Sequence, residues 1–366
     1  GREAAAGERG AARRPESVIV RRGSRPGDTF VRIVRPHAGE FQRRAPGYLV
    51  ATERVLRPTT AFGRLREAVR GLLLGRRIRS EAEHEERAGR LTGLAIFASD
   101  NISSSAYATE EIMRVLVLAG AGPLVLTMPI TLAIVVVLAI VVSSYLQVIR
   151  AYPGGGGSYV VAQDNLGTVA GLTAAAALLT DYILTVAVST SAGVAALTSA
   201  FPELFAHRVA ISVAVVALMA LLNLRGIREA GAIFAAPTYL YVVAILGVLA
   251  TGAVRVLLGD LPAYTPPRAW EEGHGAERLG LLLVLRAFAS GSVALTGTEA
   301  VSNGVPAFKP PEVKNAQTVL VMMGGLFATV FVGLSFFATQ LGIVPDPREA
   351  ETVVSQVARL LVGRGP

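Results

Sequence analysis

Long apolar runs separated by short polar stretches fill the chain from about residue 92 to residue 344. Each run is close to the ~20 residues that an α-helix needs to cross ~30 Å of hydrocarbon. The predicted fold class is therefore all-α, a polytopic bundle of helices in a membrane. We number the predicted membrane spans 1 to 7, and they cover residues 92–116, 123–148, 167–200, 207–224, 231–256, 279–304 and 317–344.

Spans 1 and 6 are interrupted by polar residues near their middle. Span 1 contains Asp100, Asn101 and three serines at 103–105, and span 6 contains hydroxyls, two glycines and an acid over 290–299. Interrupted helices are tolerated at membrane depth where they line a cavity, and they are typical of transporter binding sites. Because the two interruptions lie five spans apart, the pattern indicates an inverted repeat with spans 1–5 as its first half. The second half is then expected to be truncated, so that the chain holds about seven spans.

Composition and charge fit this class. Only 17% of the residues are charged, whereas soluble domains carry about 25%. The net charge of +8 comes mostly from arginines before span 1, so the positive-inside rule places the N-terminus in the cytoplasm and no nucleic-acid partner is needed to explain it. The absence of cysteine excludes disulfides and thiol chemistry, and the four histidines show no metal-ligand spacing. These features predict a transporter and no enzyme.

The patterning divides the chain into four regions. Residues 1–55 are rich in Gly, Arg and Pro and are expected to be disordered, and they are candidates for non-native sequence. Residues 56–90 are basic and include a predicted amphipathic helix, 61–77, on the cytoplasmic membrane face. Residues 91–345 form the incomplete transmembrane bundle, and 346–366 a polar, truncated end.

The glycine run between spans 2 and 3 is a further motif. Gly154–Gly157 and the following Ser158 lack the Gly-Lys-Ser/Thr ending of a phosphate-binding loop. The run therefore predicts a flexible re-entrant turn.

Two acids mark the interrupted spans. A carboxylate at the depth of Asp100 costs roughly 2.5–3.5 kcal/mol on insertion scales, which favours a functional role. Tyr107 lies two helical turns later, so a break between these two residues would put a carboxylate and a phenol beside one gap. The alternatives for Asp100 are a helix cap or an ion pair, for which Arg286 is the available partner. Glu299 follows the interruption of span 6, one turn after Thr296, and its alternative is a simple interfacial glutamate.

Span 3 carries a stripe of oxygen-bearing side chains. Tyr182, Thr185 and Ser189 fall on one helical face. They could bind a substrate, or they could form interhelical hydrogen bonds worth ~0.6 kcal/mol each. The spacing alone leaves both alternatives open, and it also leaves open the role of Asp181, about 100° away on the same helix.

Four strings resemble a known family: FASDNISSSAYATEEI, YPGGGGSYVVA, NLRGIREAG and TGTEAVSNGVPAFKPPEVKNA. They resemble the amino acid–polyamine–organocation superfamily and, within it, the KimA-type potassium importers, from about Arg64 to the end of the chain. The resemblance implies a LeuT-like inverted-repeat bundle that takes up potassium together with protons. It also implies that potassium is bound by Asp100, Tyr107, Tyr182, Thr185, Ser189, Thr296 and Glu299.

The residues themselves bear on the substrate. Amino-acid carriers of the superfamily tend to have a glycine-rich break in helix 1, whose amides hold the substrate carboxylate. The break here, residues 99–105, has no glycine and offers an anion with hydroxyl oxygens, which suit a dehydrated cation. The sequence therefore favours secondary active, proton-coupled potassium uptake, with an amino acid or polyamine permease as the alternative and an inactive fragment as the third possibility.

The expected setting is the plasma (inner) membrane, which the chain crosses several times. Its expected partners are the lipid bilayer and a small cation or amino acid. No cofactor is expected beyond the transported potassium and protons, and a homodimer is left open.

Overall fold

The structure is a computed structural model, and it falls into two units that divide at residues 72 and 73. The residues that it describes are 18–22, 29–33, 41–45, 48–51, 60–63, 65, 71, 87–224, 227–262, 264 and 277–363. A helix is predicted over 61–77, but only residues 61–63, 65 and 71 of this segment are described. Most of that prediction therefore lies outside the described residues.

The first unit contains two antiparallel β-hairpins. Strand β1 (Val18–Arg22) pairs with β2 (Thr29–Ile33), and β3 (Phe41–Ala45) pairs with β4 (Tyr48–Ala51). These ranges correct the expectation of disorder for residues 1–55, whose other positions lie outside the described residues. The signal that finds the first hairpin is local, because two runs of β-branched and aromatic residues flank a stretch rich in Gly, Pro and Arg.

The second unit is helical, apart from one parallel bridge between Ala88 and Phe308 among its described residues. Short 3-10 turns connect several of its helices, among them Val117–Ala119, Gly122–Leu126, Pro202–His207, Ser292–Leu295 and Val305–Ala307. The helices are α1 (Arg90–Phe97), α2 (Ser99–Ser104), α3 (Ala108–Leu116), α4 (Thr127–Ala151), α5 (Ser158–Leu166), α6 (Thr168–Ala200), α7 (Arg208–Asn223), α8 (Ile227–Leu258), α9 (Leu281–Gly291), α10 (Ala300–Asn303), α11 (Glu312–Gln340) and α12 (Val353–Val362).

Six of the seven predicted membrane spans are confirmed in this unit. Six segments of the described residues are long and apolar enough to cross a bilayer: Gly122–Ala151, Thr168–Ala200, Pro202–Asn223, Ala235–Leu258, Leu281–Asn303 and Glu312–Gln340. They correspond to spans 2 to 7. Span 1 is not one continuous helix, because it is divided into α1, α2 and α3. The all-α polytopic class and the interruption of spans 1 and 6 are therefore both as predicted.

Helix α11 lies at the centre of the apolar core. Its residues Phe327, Phe331 and Leu334 are fully buried and belong to one cluster with Ile112 of α3 and Ile134 of α4. Helix α3 also packs against α9, and α2 packs against α6 and the 3-10 turn Ser292–Leu295. This packing brings the two interrupted spans and span 3 together.

The end of the chain that was expected to be polar contains helix α12. Val353, Val357 and Leu361 lie four residues apart, and all three are buried in the core. This spacing is that of an amphipathic helix, and the charged residues that precede and interrupt it make the segment polar on average.

Two backbone amides at the start of helix α12, those of Thr352 and Val353, donate hydrogen bonds to two other helices. The backbone N–H of Thr352 donates to Ser199 Oγ of α6 at 3.0 Å, and the next amide, that of Val353, donates to Glu110 Oε2 of α3 at 3.0 Å. The other carboxylate oxygen of Glu110 accepts from Arg114, one turn further along α3. Glu110 is thus a structural acid at the end of span 1.

Candidate functional site

The interruption of span 1 is built by serines that bond to their own backbone. Three serines at 103–105 donate their hydroxyl hydrogens to the carbonyls of Asp100, at 2.8 and 3.0 Å, and of Ile102, at 2.6 Å. Such bonds compete with the backbone ladder and bend or end helices. The structure refines the predicted break over residues 99–105, because 99–104 form a short helix and the backbone leaves the helix at Ala98 and at 105–107.

The interruption of span 6 runs from Ser292 to Glu299. Thr296 is extended, with φ −63° and ψ 152°, and Gly297 has a φ of 76°, in the left-handed region that favours glycine. A Cβ atom on Gly297 would lie 2.5 Å from Oδ2 of Asp100. The carboxyl group of Asp100 therefore lies directly against the backbone of the span 6 break.

Asp100 keeps one oxygen without a hydrogen-bond donor. Its Oδ1 atom is buried and has no hydrogen-bond partner in the described part of the chain. Arg286, the possible ion-pair partner, is instead exposed, and its guanidinium lies 3.6 Å from Glu277. A buried carboxylate oxygen without a donor is costly, which is the situation that a bound cation relieves.

Asn101 is a residue that the sequence analysis did not assign to the site. It is fully buried, and its Nδ2 donates to the carbonyls of Ala294 at 3.0 Å and Thr296 at 3.3 Å, both in the span 6 break. Its Oδ1 has no partner among the described residues. Asn101 thus holds the two interruptions together and leaves a second buried oxygen without a donor.

The stripe on α6 contacts both interrupted spans. Ser189 shares a hydrogen bond of 3.1 Å with the phenol of Tyr107, and that phenol also bonds to Ser104 at 3.0 Å. Tyr182 donates to Glu299 at 2.8 Å. Thr185 is buried between them, and its hydroxyl makes no hydrogen bond within the described part of the chain.

Glu299 is surrounded by donors. Its Oε1 accepts from Tyr182 at 2.8 Å and Asn303 at 3.1 Å, and its Oε2 accepts from Ser158 at 2.7 Å and Tyr145 at 3.1 Å. The residue is only 7% exposed. The alternative of a simple interfacial glutamate does not describe this environment. Sequence reasoning missed three of these donors, namely Tyr145, Ser158 and Asn303.

Negative charge is concentrated here. Asp181 acts electrostatically on Asp100, and Glu299 acts on Asp181. None of the three acids forms an ion pair with a basic side chain that the structure describes. Among the residues that the structure describes, no three His, Cys, Asp or Glu side chains lie close enough together to hold one metal ion, and these three acids are no exception. The arrangement can attract a cation, while neutral oxygens supply most of the potential ligands.

The seven predicted site residues thus lie in one region, but their side chains make different contacts. Asp100 faces the break, Tyr107 bonds to Ser189, and Tyr182 bonds to Glu299. The hydroxyl of Thr296 donates to the carbonyl of Val293 at 2.9 Å, so its hydrogen is used within its own turn. Their assignment as ion ligands stays a prediction.

The glycine run lies against α10. Gly156 donates its N–H to the carbonyl of Ser302 at 3.3 Å, and Ser302 Oγ donates back to the carbonyl of Gly156 at 2.7 Å. A Cβ atom on Gly155 would lie 2.8 Å from the carbonyl oxygen of Asn303. The run was expected to be a flexible turn, whereas its glycines allow two backbones to approach closely.

Comparisons with known proteins agree with this architecture. Residues 89–364 match the model of a family described as amino acid permease. The potassium transporter KimA of Bacillus subtilis (strain 168) is 43% identical over 297 residues, which cover 81% of this chain and 48% of that protein. The chain therefore spans about half the length of this curated relative.

Proposed function

Because the chain belongs to the amino acid permease family of membrane transporters, we propose that it serves in the secondary active uptake of potassium ions coupled to protons. The observation that carries this proposal is the carboxyl group of Asp100: its buried Oδ1 atom has no donor among the described residues, and its Oδ2 atom lies against the span 6 break. A 43% identical relative named as a potassium transporter supports the choice of ion. The function that we propose is transport and includes no catalytic step.

The ion would bind between the two interrupted spans and α6. Asp100 would supply the negative charge that offsets dehydration of the cation. Neutral oxygens would set selectivity by their number and field strength. The full ligand set that we propose is Asp100, Tyr107, Tyr182, Thr185, Ser189, Thr296 and Glu299.

An amino acid or polyamine is the second candidate substrate, because the family description names amino acids. The ammonium group of such a substrate could bind Asp100. The carboxylate of an amino acid, however, would enter a region that already holds Asp100, Asp181 and Glu299, and like charges repel. Competition separates the two substrates: unlabelled leucine should leave potassium uptake unchanged, and inhibition by leucine would favour an amino acid permease.

Proton coupling would use Asp100 or Glu299 as the group that exchanges a proton. Potassium influx should then follow an imposed pH gradient at fixed membrane voltage. Influx that persists unchanged after this gradient is collapsed would rule out proton coupling.

We further propose that the protein lies in the plasma (inner) membrane with its N-terminus in the cytoplasm. The basic stretch before span 1 supports this orientation. A homodimer remains a hypothesis, and the proposed transport does not require one.

Growth of cells at limiting potassium tests the function. The full-length protein, expressed in cells that lack their own potassium importers, should restore growth and accumulate potassium. The same protein with Asp100→Asn, inserted in the membrane at a normal level, should not. Restored growth with both proteins, or with neither, would contradict the proposal.

A further inference from the structure

The carboxylate of Glu299 has no room for another ligand in this conformation. A carboxylate offers about four lone-pair directions, and four donors already point at its two oxygens. Hydrogen bonds to an ionised group are about twice as strong as neutral ones. A potassium ion that binds Glu299 would therefore have to displace a donor.

Two of the four donors flank the glycine run. Tyr145 lies on α4 before the run, and Ser158 is the first residue of α5 after it. Their hydroxyls both reach Glu299 Oε2, and they are 3.2 Å from each other. Ser158 makes the shorter bond to Glu299, 2.7 Å against 3.1 Å.

The same loop is fastened to the helix that follows Glu299. Gly156 and Ser302 exchange two hydrogen bonds, so the loop and α10 hold each other in place. These backbone contacts of the loop therefore fix the position of Ser158 relative to Glu299.

We propose that Ser158 is a positioning residue whose hydroxyl competes with the transported cation for Oε2 of Glu299, with Tyr145 in a supporting role. In the conformation seen here the loop holds Glu299, and the ion is left to Asp100 and the neutral oxygens. When the loop moves away, Glu299 becomes a ligand. The exchange of one partner for the other would couple movement of the loop to binding and release of the ion. This inference rests on the proposed function.

The test is the kinetics of potassium uptake by the full-length protein with Ser158→Ala. Removal of the competing donor should lower the KM for potassium by about ten- to a hundredfold, the range expected for one net hydrogen bond to a charged group. The maximal rate should fall as well, because the ion leaves more slowly. Ser158→Thr keeps the hydroxyl and should restore both values. Tyr145→Phe should act in the same direction, but less strongly.

Matched controls lie next to each residue. Ser144→Ala and Tyr159→Phe change an exposed serine on α4 and an exposed tyrosine on α5, and both should leave the kinetics unchanged. A purely structural role predicts a lower maximal rate with an unchanged or raised KM for Ser158→Ala, and that result would overturn the inference. Absence of potassium uptake by the unsubstituted protein would instead overturn the proposed function.

Discussion

The phenol of Tyr182 donates a hydrogen bond of 2.8 Å to the carboxylate of Glu299, across 117 positions of sequence. Two turns further along α6, Ser189 bonds to Tyr107 of span 1. One face of α6 thus contacts both interrupted spans. A change on this face should therefore act on the site as a whole.

Asp100→Asn should abolish potassium uptake. The substitution keeps the shape of the side chain and removes the negative charge beside Gly297. Uptake of a potassium tracer should fall to background, while the amount of protein in the membrane stays normal. Asp164→Asn, which changes an exposed acid on α5, should transport normally. Uptake by Asp100→Asn within about twofold of the unsubstituted protein would contradict a charge requirement, since the loss of a buried charge partner is expected to cost far more.

Gly297→Ala should damage the site without removing any functional group. The new Cβ would lie 2.5 Å from Oδ2 of Asp100, on a backbone with a φ of 76°. Strain of this kind costs of order 1–3 kcal/mol, so we expect at least about a fivefold loss of apparent potassium affinity. Gly247→Ala on α8 is the matched control, because a Cβ there meets nothing within 4 Å. Equal uptake by the two variants would show that Asp100 does not need this contact.

Thr185→Ala should weaken selectivity more than turnover. Removal of one neutral oxygen should raise the KM for potassium and reduce the preference over sodium, with the maximal rate less affected. Thr173 and Thr198, on the same helix, bond to the carbonyls of Val169 and Ala195, and their alanine variants should be nearly silent. If Thr185→Ala and Thr198→Ala behave alike, the stripe serves for packing.

Potassium should stabilise the purified protein in detergent. A ligand that binds only the folded state adds about 2.7 kcal/mol at a concentration 100 times its Kd. The Tm should therefore rise with potassium chloride more than with choline chloride at equal ionic strength. Asp100→Asn should show the same small rise in both salts. A potassium effect that survives this substitution would place the bound ion elsewhere.

The sequence predicts the spans well where one apolar run equals one helix. Span 4 was expected at 207–224, and α7 is Arg208–Asn223. Span 7 was expected at 317–344, but α11 is Glu312–Gln340. Hydropathy misses its first turn because that turn is polar, although Pro311 followed by Glu312 is a local signal for a helix start.

The site is harder to predict because its partners are far apart in sequence. Helical periodicity places Tyr182, Thr185 and Ser189 on one face, but it does not say which helix this face meets. Tyr145 and Ser158 lie 154 and 141 positions from Glu299, and no local pattern links them. The interrupted spans were identified because polar residues at membrane depth are a local and costly feature.

The attachment of α12 provides a way to observe movement at that end of the bundle. Two neighbouring amides, those of Thr352 and Val353, donate separately to Ser199 of α6 and Glu110 of α3. Any motion that separates α3 from α6 here has to break at least one of these bonds. The rate at which these two amide hydrogens exchange with deuterium would therefore report how often this end of the bundle opens. The exchange rate can be measured without any measurement of ion flux.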